Sequence, residues 1–301
     1  MDRLLITGVS GFAGWNLARR LKSQYRIYGT YLDHPVDLET VEMLAFDLTD
    51  LGKIERLCSA IKPKVIVHTA ALSNPDYCET HHQEALTLNT FATRELARAA
   101  SHLGIRIVYF STDLLFSGET GMYSEADAPA PLSYYAKTKH LGELEIMNNC
   151  SYYATLRFSL LYGRGNGSNR NFVETMEQKA LQNSRMNLFT NQFRTPLYVE
   201  DAVTALERFI ADKSLKGLFH IGGPDRLSRF QFGELFCRIF NFPQRLLVPC
   251  LLEEAKLDAP RPRDCSLNSE KTRNCLKMEF RSVEEGLSEV FKAGQAMQSC
   301  S

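Results

Sequence analysis

The stretch that most constrains the fold is a glycine-rich turn near the start of the chain. A short apolar run at residues 4–7 leads into Gly8, Gly11 and Gly14 and then into a helical pattern. Residues 25–31 follow as a second β-leaning run, so the order is strand, turn, helix, strand. Glycines at such a turn let backbone N–H groups and the positive end of a helix approach a phosphate. This order therefore predicts a parallel βαβ unit that binds a dinucleotide.

Strands and helices continue to alternate along the first half of the chain. Further strands are predicted at residues 44–48, 64–71, 105–110 and 153–158, and a long helix at residues 83–102. This pattern predicts an α/β fold with a Rossmann-type, doubly wound parallel sheet. After residue 165 the alternation fails, which indicates a smaller C-terminal substrate lobe. The predicted division is 1–165 with 196–221 for the cofactor-binding domain, and 166–195 with 222–301 for the lobe.

The end of the second predicted strand bears on which cofactor binds. A site for NAD usually places an acid there, whereas a site for NADP has an arginine nearby. The sequence supplies Thr30 and Tyr31, with an acid only at Asp33 and no arginine. The preference between NAD and NADP therefore stays open.

Three other predicted strands end in polar or small residues, at the edge of the sheet where ligands bind. Asp47 closes the third strand, and Ala70 and Ala71 would let a cofactor lie close to the fourth. Thr112, after the fifth strand, either hydrogen-bonds a substrate carbonyl or simply begins a loop. Asn89 interrupts the apolar face of the long helix, and its buried amide requires partners. A structural bridge to the sheet is favoured over a proton relay for this asparagine.

Residues 133–143 contain two tyrosines and two lysines on a predicted helix. Tyr135 and Lys139 are four residues apart, and Tyr134 and Lys137 are three apart. Either pair shares a helix face, so the spacing alone does not choose between them.

The same helix is expected to begin near Ser133, because two nearby prolines force extended backbone before it. Its apolar residues Leu141, Leu144 and Met147 are expected to face the core. Further along, the C-terminal part carries Arg194 and the proline-stiffened pair Arg261 and Arg263. A rigid pair of arginines is suited to bidentate binding of a phosphate.

Composition excludes several classes of function. Lysine plus arginine equals aspartate plus glutamate at 35 each, so no global field favours nucleic acid or an anionic membrane. No apolar run reaches the ~18 residues of a membrane span. The chain enters its first strand at once, from which a cytoplasmic protein is expected. The eight cysteines are scattered, which predicts free thiols and no metal site.

Taken in order, these segments resemble an extended short-chain dehydrogenase/reductase, nearest to the dTDP-4-dehydrorhamnose reductase branch. The resemblance covers essentially the whole chain. The segments that carry it are residues 7–14 (TGVSGFAG), 110–118 (FSTDLLFSG), 135–139 (YAKTK), 142–143 (GE), 192–196 (QFRTP) and 261–263 (RPR).

The resemblance also selects one of the two tyrosine–lysine pairs. The family separates its tyrosine and lysine by three residues and follows the lysine with Gly-Glu, which only Tyr135 and Lys139 satisfy. It implies that Tyr135 is the general acid of a ketone reduction and that Thr112 polarises the carbonyl. Lys139 would then lower the pKa of the tyrosine and hold the nicotinamide ribose.

The ligands that the resemblance implies are NADP or NAD and a nucleotide sugar, with no metal and a homodimer as the family-level expectation. The implied cofactor-binding residues are Gly8, Ser10, Gly11, Phe12, Gly14, Thr30, Tyr31, Asp47 at the adenine, Leu48, Ala70, Ala71, Asn89, Tyr135 and Lys139. The implied substrate-binding residues are Asp113, Asn171, Gln192, Arg194 and Arg263.

Three functions are consistent with these residues. The leading one is an NAD(P)H-dependent reductase of a nucleotide-linked 4-keto-6-deoxysugar. A nucleotide-sugar epimerase or dehydratase would use the same residues but return the hydride to its substrate. A non-catalytic NAD(P)-binding regulatory subunit, resembling the beta subunit of methionine adenosyltransferase, belongs to a different class.

Overall fold

The computed structural model describes residues 1–167 and 171–298, with side chains described to residue 295. The strands are β1 (Arg3–Thr7), β2 (Arg26–Tyr31), β3 (Glu42–Ala45), β4 (Val65–His68), β5 (Arg106–Thr112), β6 (Tyr153–Phe158), β7 (Leu161–Tyr162), β8 (Met186–Phe189), β9 (Phe193–Arg194), β10 (Leu197–Tyr198), β11 (Gly217–Ile221), β12 (Leu227–Ser228) and β13 (Leu247–Cys250). The α-helices are α1 (Phe12–Leu21), α2 (Ile54–Ile61), α3 (Pro75–Thr80), α4 (His82–Leu86), α5 (Ala92–His102), α6 (Tyr134–Asn149), α7 (Phe172–Leu181), α8 (Val199–Ala211), α9 (Arg229–Ile239), α10 (Glu270–Leu276) and α11 (Val283–Gln298).

Seven strands form one parallel sheet in the order β11-β6-β5-β4-β1-β2-β3. The order of connection reverses between β1 and β4. In such sheets this reversal opens a crevice at the carboxyl ends of the strands, where ligands bind. The predicted Rossmann-type fold is confirmed.

Alternate residues of β1 pack into different hydrophobic layers. Leu4 and Ile6 join the layer that contains α1 and α8, whereas Leu5 joins the layer that contains α2 and α5. Since a strand points successive side chains to opposite faces, helices cover both sides of the sheet. This double coverage explains why the strands are apolar without a polar face.

A third hydrophobic cluster lies in the C-terminal half, around Tyr162, Phe232 and Phe236. Two small strand pairs, β8 with β13 and β9 with β12, accompany it. Leu276 and Phe280, however, pack into the layer of the main sheet that contains α1 and α8. The proposed domain boundaries therefore remain a prediction.

Helix α6 begins where expected, because the Ser133 side chain accepts a hydrogen bond from the Ala136 N–H at 3.3 Å. The prediction of its inward face was wrong. The side chains of Leu141, Leu144 and Met147 are 42%, 37% and 55% exposed. The side of α6 that is buried instead consists mostly of polar and small residues: Tyr135, Ala136, Thr138, Lys139, Gly142, Glu143 and Ile146. The hydrogen bonds and close backbone contacts of these residues determine which side of α6 faces the sheet. They outweigh the preference of the apolar residues for a buried position.

Two other elements differ from the pattern in the sequence. The long helix predicted at residues 83–102 is α4 and α5 joined by a π-helical segment, Thr87–Phe91. The third strand ends at Ala45, so that Asp47 lies in the loop that follows. There the Asp47 carboxylate accepts hydrogen bonds from the backbone N–H and the hydroxyl of Thr49.

Within the described residues, no helix is long and apolar enough to cross a membrane. The same residues contain no group of three or more histidine, cysteine or acidic side chains placed to hold a metal ion. The cysteines in this part of the chain are free thiols, and Cys300 lies outside the described residues.

Candidate active site

The glycine turn after β1 has the geometry of a phosphate cradle. Gly8 has φ +69°, and a Cβ on it would lie 2.7 Å from the Ala70 Cα. A Cβ on Gly14 would lie 2.4 Å from the Gly8 carbonyl oxygen. Helix α1 starts beyond Gly11, and no side chain caps its first N–H groups. These groups point out of the turn and fit the diphosphate of a dinucleotide.

A cavity of about 1020 Å³ extends from this turn along the carboxyl ends of the central strands. The predicted residues that line it are Gly8, Ser10, Gly11, Phe12, Gly14, Thr30, Tyr31, Asp47, Leu48, Ala70, Ala71, Thr112, Tyr135, Lys139 and Arg194. The switch point of the sheet thus brings together residues that are up to 186 positions apart, from Gly8 to Arg194.

The tyrosine and lysine predicted to do chemistry both reach this cavity. Tyr135 is 8% exposed and Lys139 is 2% exposed. Tyr134 instead stacks on the His82 ring at 3.8 Å between centroids, and Lys137 is exposed. Of the two pairs, the one that is four residues apart lines the cavity.

Burial decides the charge state of both side chains. It raises the pKa of Tyr135 to about 12, against the lowering effect of its contact with Thr112. The pKa of Tyr135 thus shifts upward, opposite to the direction expected from Lys139. Burial also lowers the pKa of Lys139 to about 7, although the nearby Glu143 raises it. Tyr135 is thus protonated at neutral pH, which is the form a general acid needs.

Thr112 ends β5 at the cavity wall and is 8% exposed. Its hydroxyl accepts a hydrogen bond from the Leu114 N–H at 3.2 Å and lies 3.4 Å from an Asp113 carboxylate oxygen. The second distance is at the limit of a hydrogen bond, so the hydroxyl proton can turn to a ligand in the cavity.

Asp113 does not line the cavity, although it was predicted to bind substrate. Its carboxylate is fully buried, forms an ion pair with Arg194, and accepts a hydrogen bond from the Ser159 hydroxyl at 2.8 Å. Burial raises the pKa of Asp113, and the Arg194 guanidinium lowers it. Asp113 therefore positions Arg194, which does line the cavity.

Asn89 was predicted to belong to the cofactor site, and the structure places it behind the cavity wall. Its side chain is 1% exposed, accepts the Leu72 N–H at 2.8 Å, and donates to the Leu72 carbonyl and the Thr138 hydroxyl. These contacts tie the loop after β4 to α6. Asn89 is thus the structural bridge that its position in a helix suggested.

The other predicted substrate residues do not reach the cavity. The Asn171 side chain caps α7, and Gln192 donates to the Pro262 carbonyl at 3.4 Å. Arg263 is 66% exposed at its side chain and pairs with Glu253, while its neighbour Arg261 pairs with Asp76. Rigidity from Pro262 therefore does not create a two-arginine phosphate clamp.

Sequence reasoning missed a partly buried guanidinium at Arg229. Its Nε–H donates to the Gln192 side-chain oxygen at 3.4 Å, and its guanidinium stacks on the Phe172 ring at 4.6 Å. One of its terminal nitrogens is buried and has no hydrogen-bond partner in the described structure. Burial and the neighbouring Arg194 lower the pKa of Arg229 to about 9. The sequence contained no signal for this, since Arg229 looks like an ordinary helix-start residue after the Ser228 cap.

A neutral histidine lies beneath the cavity. Burial lowers the pKa of His68 to about 3. The Thr93 hydroxyl donates to the Asn89 carbonyl at 2.8 Å, so it accepts from His68 Nε2 at 3.0 Å. Nδ1 of His68 then accepts from the Thr7 hydroxyl at 2.7 Å. This chain joins β1, β4 and α5 below the glycine turn.

The fold and the cavity together define an extended short-chain dehydrogenase/reductase: a Rossmann-type sheet with a dinucleotide turn, and a threonine, a tyrosine and a lysine at one cavity wall. More specifically, the chain belongs to the RmlD substrate binding domain family, whose model matches residues 1–296.

Known proteins similar to this chain have different functions. The methionine adenosyltransferase 2 subunit beta of Danio rerio is 30% identical over 271 residues, which are 88% of this chain and 82% of that protein. A probable low-salt glycan biosynthesis reductase of Haloferax volcanii is 27% identical, over 94% of this chain and 95% of that protein. The crystal structure of dTDP-4-dehydrorhamnose reductase from Bacillus anthracis in complex with NADP has a TM-score of 0.87 and 27% identity, and covers 97% of this chain and 99% of that one.

Proposed function

We propose that this protein is an NAD(P)H-dependent reductase of a nucleotide-linked 4-keto-6-deoxysugar. The observation that carries the proposal is the convergence of Thr112, Tyr135 and Lys139 on the cavity that begins at the glycine turn. A protein that only binds a dinucleotide needs the turn, but it does not need a protonated tyrosine and a threonine hydroxyl further along the same cavity.

The chain's own groups divide the reduction of a ketone among them. When bound, the reduced nicotinamide supplies the hydride that forms the new C–H bond. Thr112 donates a hydrogen bond to the carbonyl oxygen and polarises it, and Tyr135 gives that oxygen its proton. Lys139 holds the nicotinamide ribose, and its positive charge favours the tyrosinate that proton transfer leaves behind.

Binding of the cofactor is assigned to residues that line the cavity. The N–H groups of the turn at residues 8–14 would hold the diphosphate, and Asp47 would contact the adenine. Arg194 stands on the wall beyond Tyr135, where it would face the substrate. The carboxylate of Asp113 fixes the orientation of this arginine, so that the arginine does not have to be ordered when the substrate binds.

Oxidation of the cofactor provides the test. The purified chain, given reduced nicotinamide cofactor and dTDP-4-dehydrorhamnose, is expected to lower the absorbance of the reduced nicotinamide in proportion to the product formed. An epimerase or dehydratase would transform a nucleotide sugar with no net change in that absorbance. If neither absorbance nor sugar changes while the cofactor binds, the reductase proposal is wrong.

A second candidate is a non-catalytic, cofactor-binding regulatory subunit. The 30% identity to the methionine adenosyltransferase 2 subunit beta, over 88% of this chain, favours it. In that case the cofactor would bind, no ketosugar would be reduced, and a catalytic subunit of methionine adenosyltransferase would bind this chain in a pull-down. Reduction of the ketosugar without such binding would exclude this candidate.

We also infer a homodimer that uses the exposed apolar residues of α6. Leu141, Leu144 and Met147 lie on the outside of this helix, although apolar side chains are more stable when they are covered. Light scattering is expected to give twice the mass of the chain, and Met147→Glu is expected to give the monomer. A monomeric unmodified protein would contradict the inference.

A further inference from the structure

The charged ammonium group of Lys139 is almost completely shielded from solvent. The side chain is 2% exposed, and Nζ donates a hydrogen bond to the Phe110 carbonyl at 2.8 Å. Moving an ammonium group out of water favours its neutral form unless other groups compensate. The chemistry assigned to this lysine needs the charged form, so the groups around Nζ determine whether it can act.

One neighbour is an aromatic ring. Nζ of Lys139 lies 4.2 Å from the centroid of the Tyr109 ring, which belongs to β5 and is fully buried. A ring face carries partial negative charge, and it attracts a cation within about 6 Å, most strongly where water is excluded. Burial raises the pKa of the Tyr109 hydroxyl, so the ring stays neutral.

The remaining titratable groups near Nζ are few. On α6 itself they are Tyr135 and Glu143, and from β4 it is the neutral His68, whose ring lies 5.4 Å from that of Tyr109. The Glu143 carboxylate is already held by Arg157 of β6, which donates to it at 2.7 and 2.9 Å. This ion pair cancels much of the field that the carboxylate would exert on Lys139. The Phe110 carbonyl, the remaining field of Glu143 and the Tyr109 ring therefore share the compensation of the charge on Nζ.

Helix α6 is built to lie against this ring. A Cβ on Gly142 would come within 2.5 Å of the Tyr109 hydroxyl oxygen and 2.6 Å of the Asn89 carbonyl oxygen. Only glycine permits this approach, which brings the preceding turn, with Lys139, over the ring. Close packing against Tyr109 and Asn89 therefore explains why position 142, three residues after Lys139, is a glycine.

We propose that Tyr109 is a positioning residue of the active site, whose ring face keeps Lys139 in the charged form that assists Tyr135. The consequence for turnover rests on the reductase function proposed above. The charge of Lys139 does not, because it can be measured in the protein without substrate.

The experiment compares rings of the same shape and different charge distribution. The full chain is labelled with ¹³Cε-lysine, the Lys139 signal is assigned with Lys139→Met, and its pKa is measured by NMR titration. Tyr109→Phe keeps the ring face, and its Lys139 is expected to titrate at the same pH as in the unmodified protein. Replacement of Tyr109 by 3,4,5-trifluorophenylalanine removes the negative face, and it is expected to lower the pKa by about 0.5 to 1.5. Tyr109→Leu should do the same.

Two results would overturn the proposal. One is an unchanged Lys139 pKa in both the trifluoro and the leucine variants. The other is a shift in Tyr109→Phe as large as in those variants, which would assign the effect to the hydroxyl. If Tyr109→Leu does not fold, the trifluoro variant decides alone, since it preserves the shape of the core.

Where turnover is measured, the alkaline limb of kcat/KM should move with the Lys139 pKa. If the unmodified protein reduces no ketosugar but the Lys139 pKa still shifts in the trifluoro variant, the reductase function is rejected. The effect of the Tyr109 ring on the Lys139 charge is then still supported.

Discussion

Asp113 and Arg194 form a buried ion pair that links the end of β5 to β9, across 81 residues of sequence. The carboxylate is inaccessible to solvent, and the arginine side chain is 9% exposed. The wall of the active-site cavity next to Thr112 therefore depends on both.

Removal of one partner is expected to destabilise the fold strongly. Asp113→Leu leaves the Arg194 charge buried without a counterion, which costs about 3–5 kcal/mol in comparable pairs. The double variant Asp113→Leu, Arg194→Met should recover much of this free energy of unfolding. Urea denaturation measures both, and Arg263→Met, which breaks an exposed pair with Glu253, is the control with little change. Equal losses from the single and the double variants would show that the charges are not coupled.

Tyr135→Phe is expected to abolish proton donation without disturbing the cofactor site. Turnover of the ketosugar should fall by a factor on the order of 10² or more, while the dissociation constant for the reduced cofactor stays the same. Tyr134→Phe is the matched control, because the Tyr134 ring stacks on His82 outside the cavity. Loss of activity in the control as large as in Tyr135→Phe would contradict the assignment of the pair.

Stability is expected to fall in mild acid. In the folded protein His68 and His220 are buried, and burial lowers their pKa values to about 3 and about 4. The unfolded chain protonates both near 6.5, so below that pH the unfolded state binds more protons than the folded state. The free energy of unfolding should therefore decrease as pH falls from about 6.5 toward 4, by about 1.4 kcal/mol per pH unit for each histidine.

Urea denaturation between pH 7.5 and pH 5.0, a range chosen around the histidine pKa, measures this dependence. His68→Asn is expected to reduce the slope, and His34→Gln, at an exposed position, to leave it unchanged. A free energy of unfolding that does not change across this range would mean that the two histidines are protonated in the folded state.

The adenosine end of the cavity predicts a preference for NADH over NADPH. Its described lining residues include Thr30, Tyr31, Leu32 and Asp47 and contain no lysine or arginine. A 2′-phosphate there would find no cationic side chain to pair with. Fluorescence titration is expected to show tighter binding of NADH, and Leu32→Arg to strengthen NADPH binding relative to the matched control Leu32→Gln. Equal affinity of the unmodified protein for both cofactors would contradict this prediction.

Local patterns were sufficient to predict the parallel sheet, the glycine turn and the start of α6. Each depends on residues close in sequence: an apolar run, glycines at a turn, and a serine that caps a helix. The predicted inward face of α6 was wrong because the apolar pattern of Leu141, Leu144 and Met147 competes with polar contacts that the sequence does not reveal. Gly142 lies against Tyr109, and Glu143 binds Arg157, so the polar side faces the sheet.

The sequence by itself determined the class of fold, the turn that receives a dinucleotide and the residue types available for ketone chemistry. Those features follow from spacing along the chain, and most of the residues predicted from Gly8 to Lys139 line one cavity, although Asn89 lies behind its wall. Only the tertiary structure decided the charge states and the arginine that reaches the cavity. Arg194 lines the cavity, Arg263 is exposed, Arg229 is partly buried, and Tyr109 lies under Lys139. The physical reason is that burial and ion pairing depend on neighbours brought together from distant segments, and local spacing does not specify them.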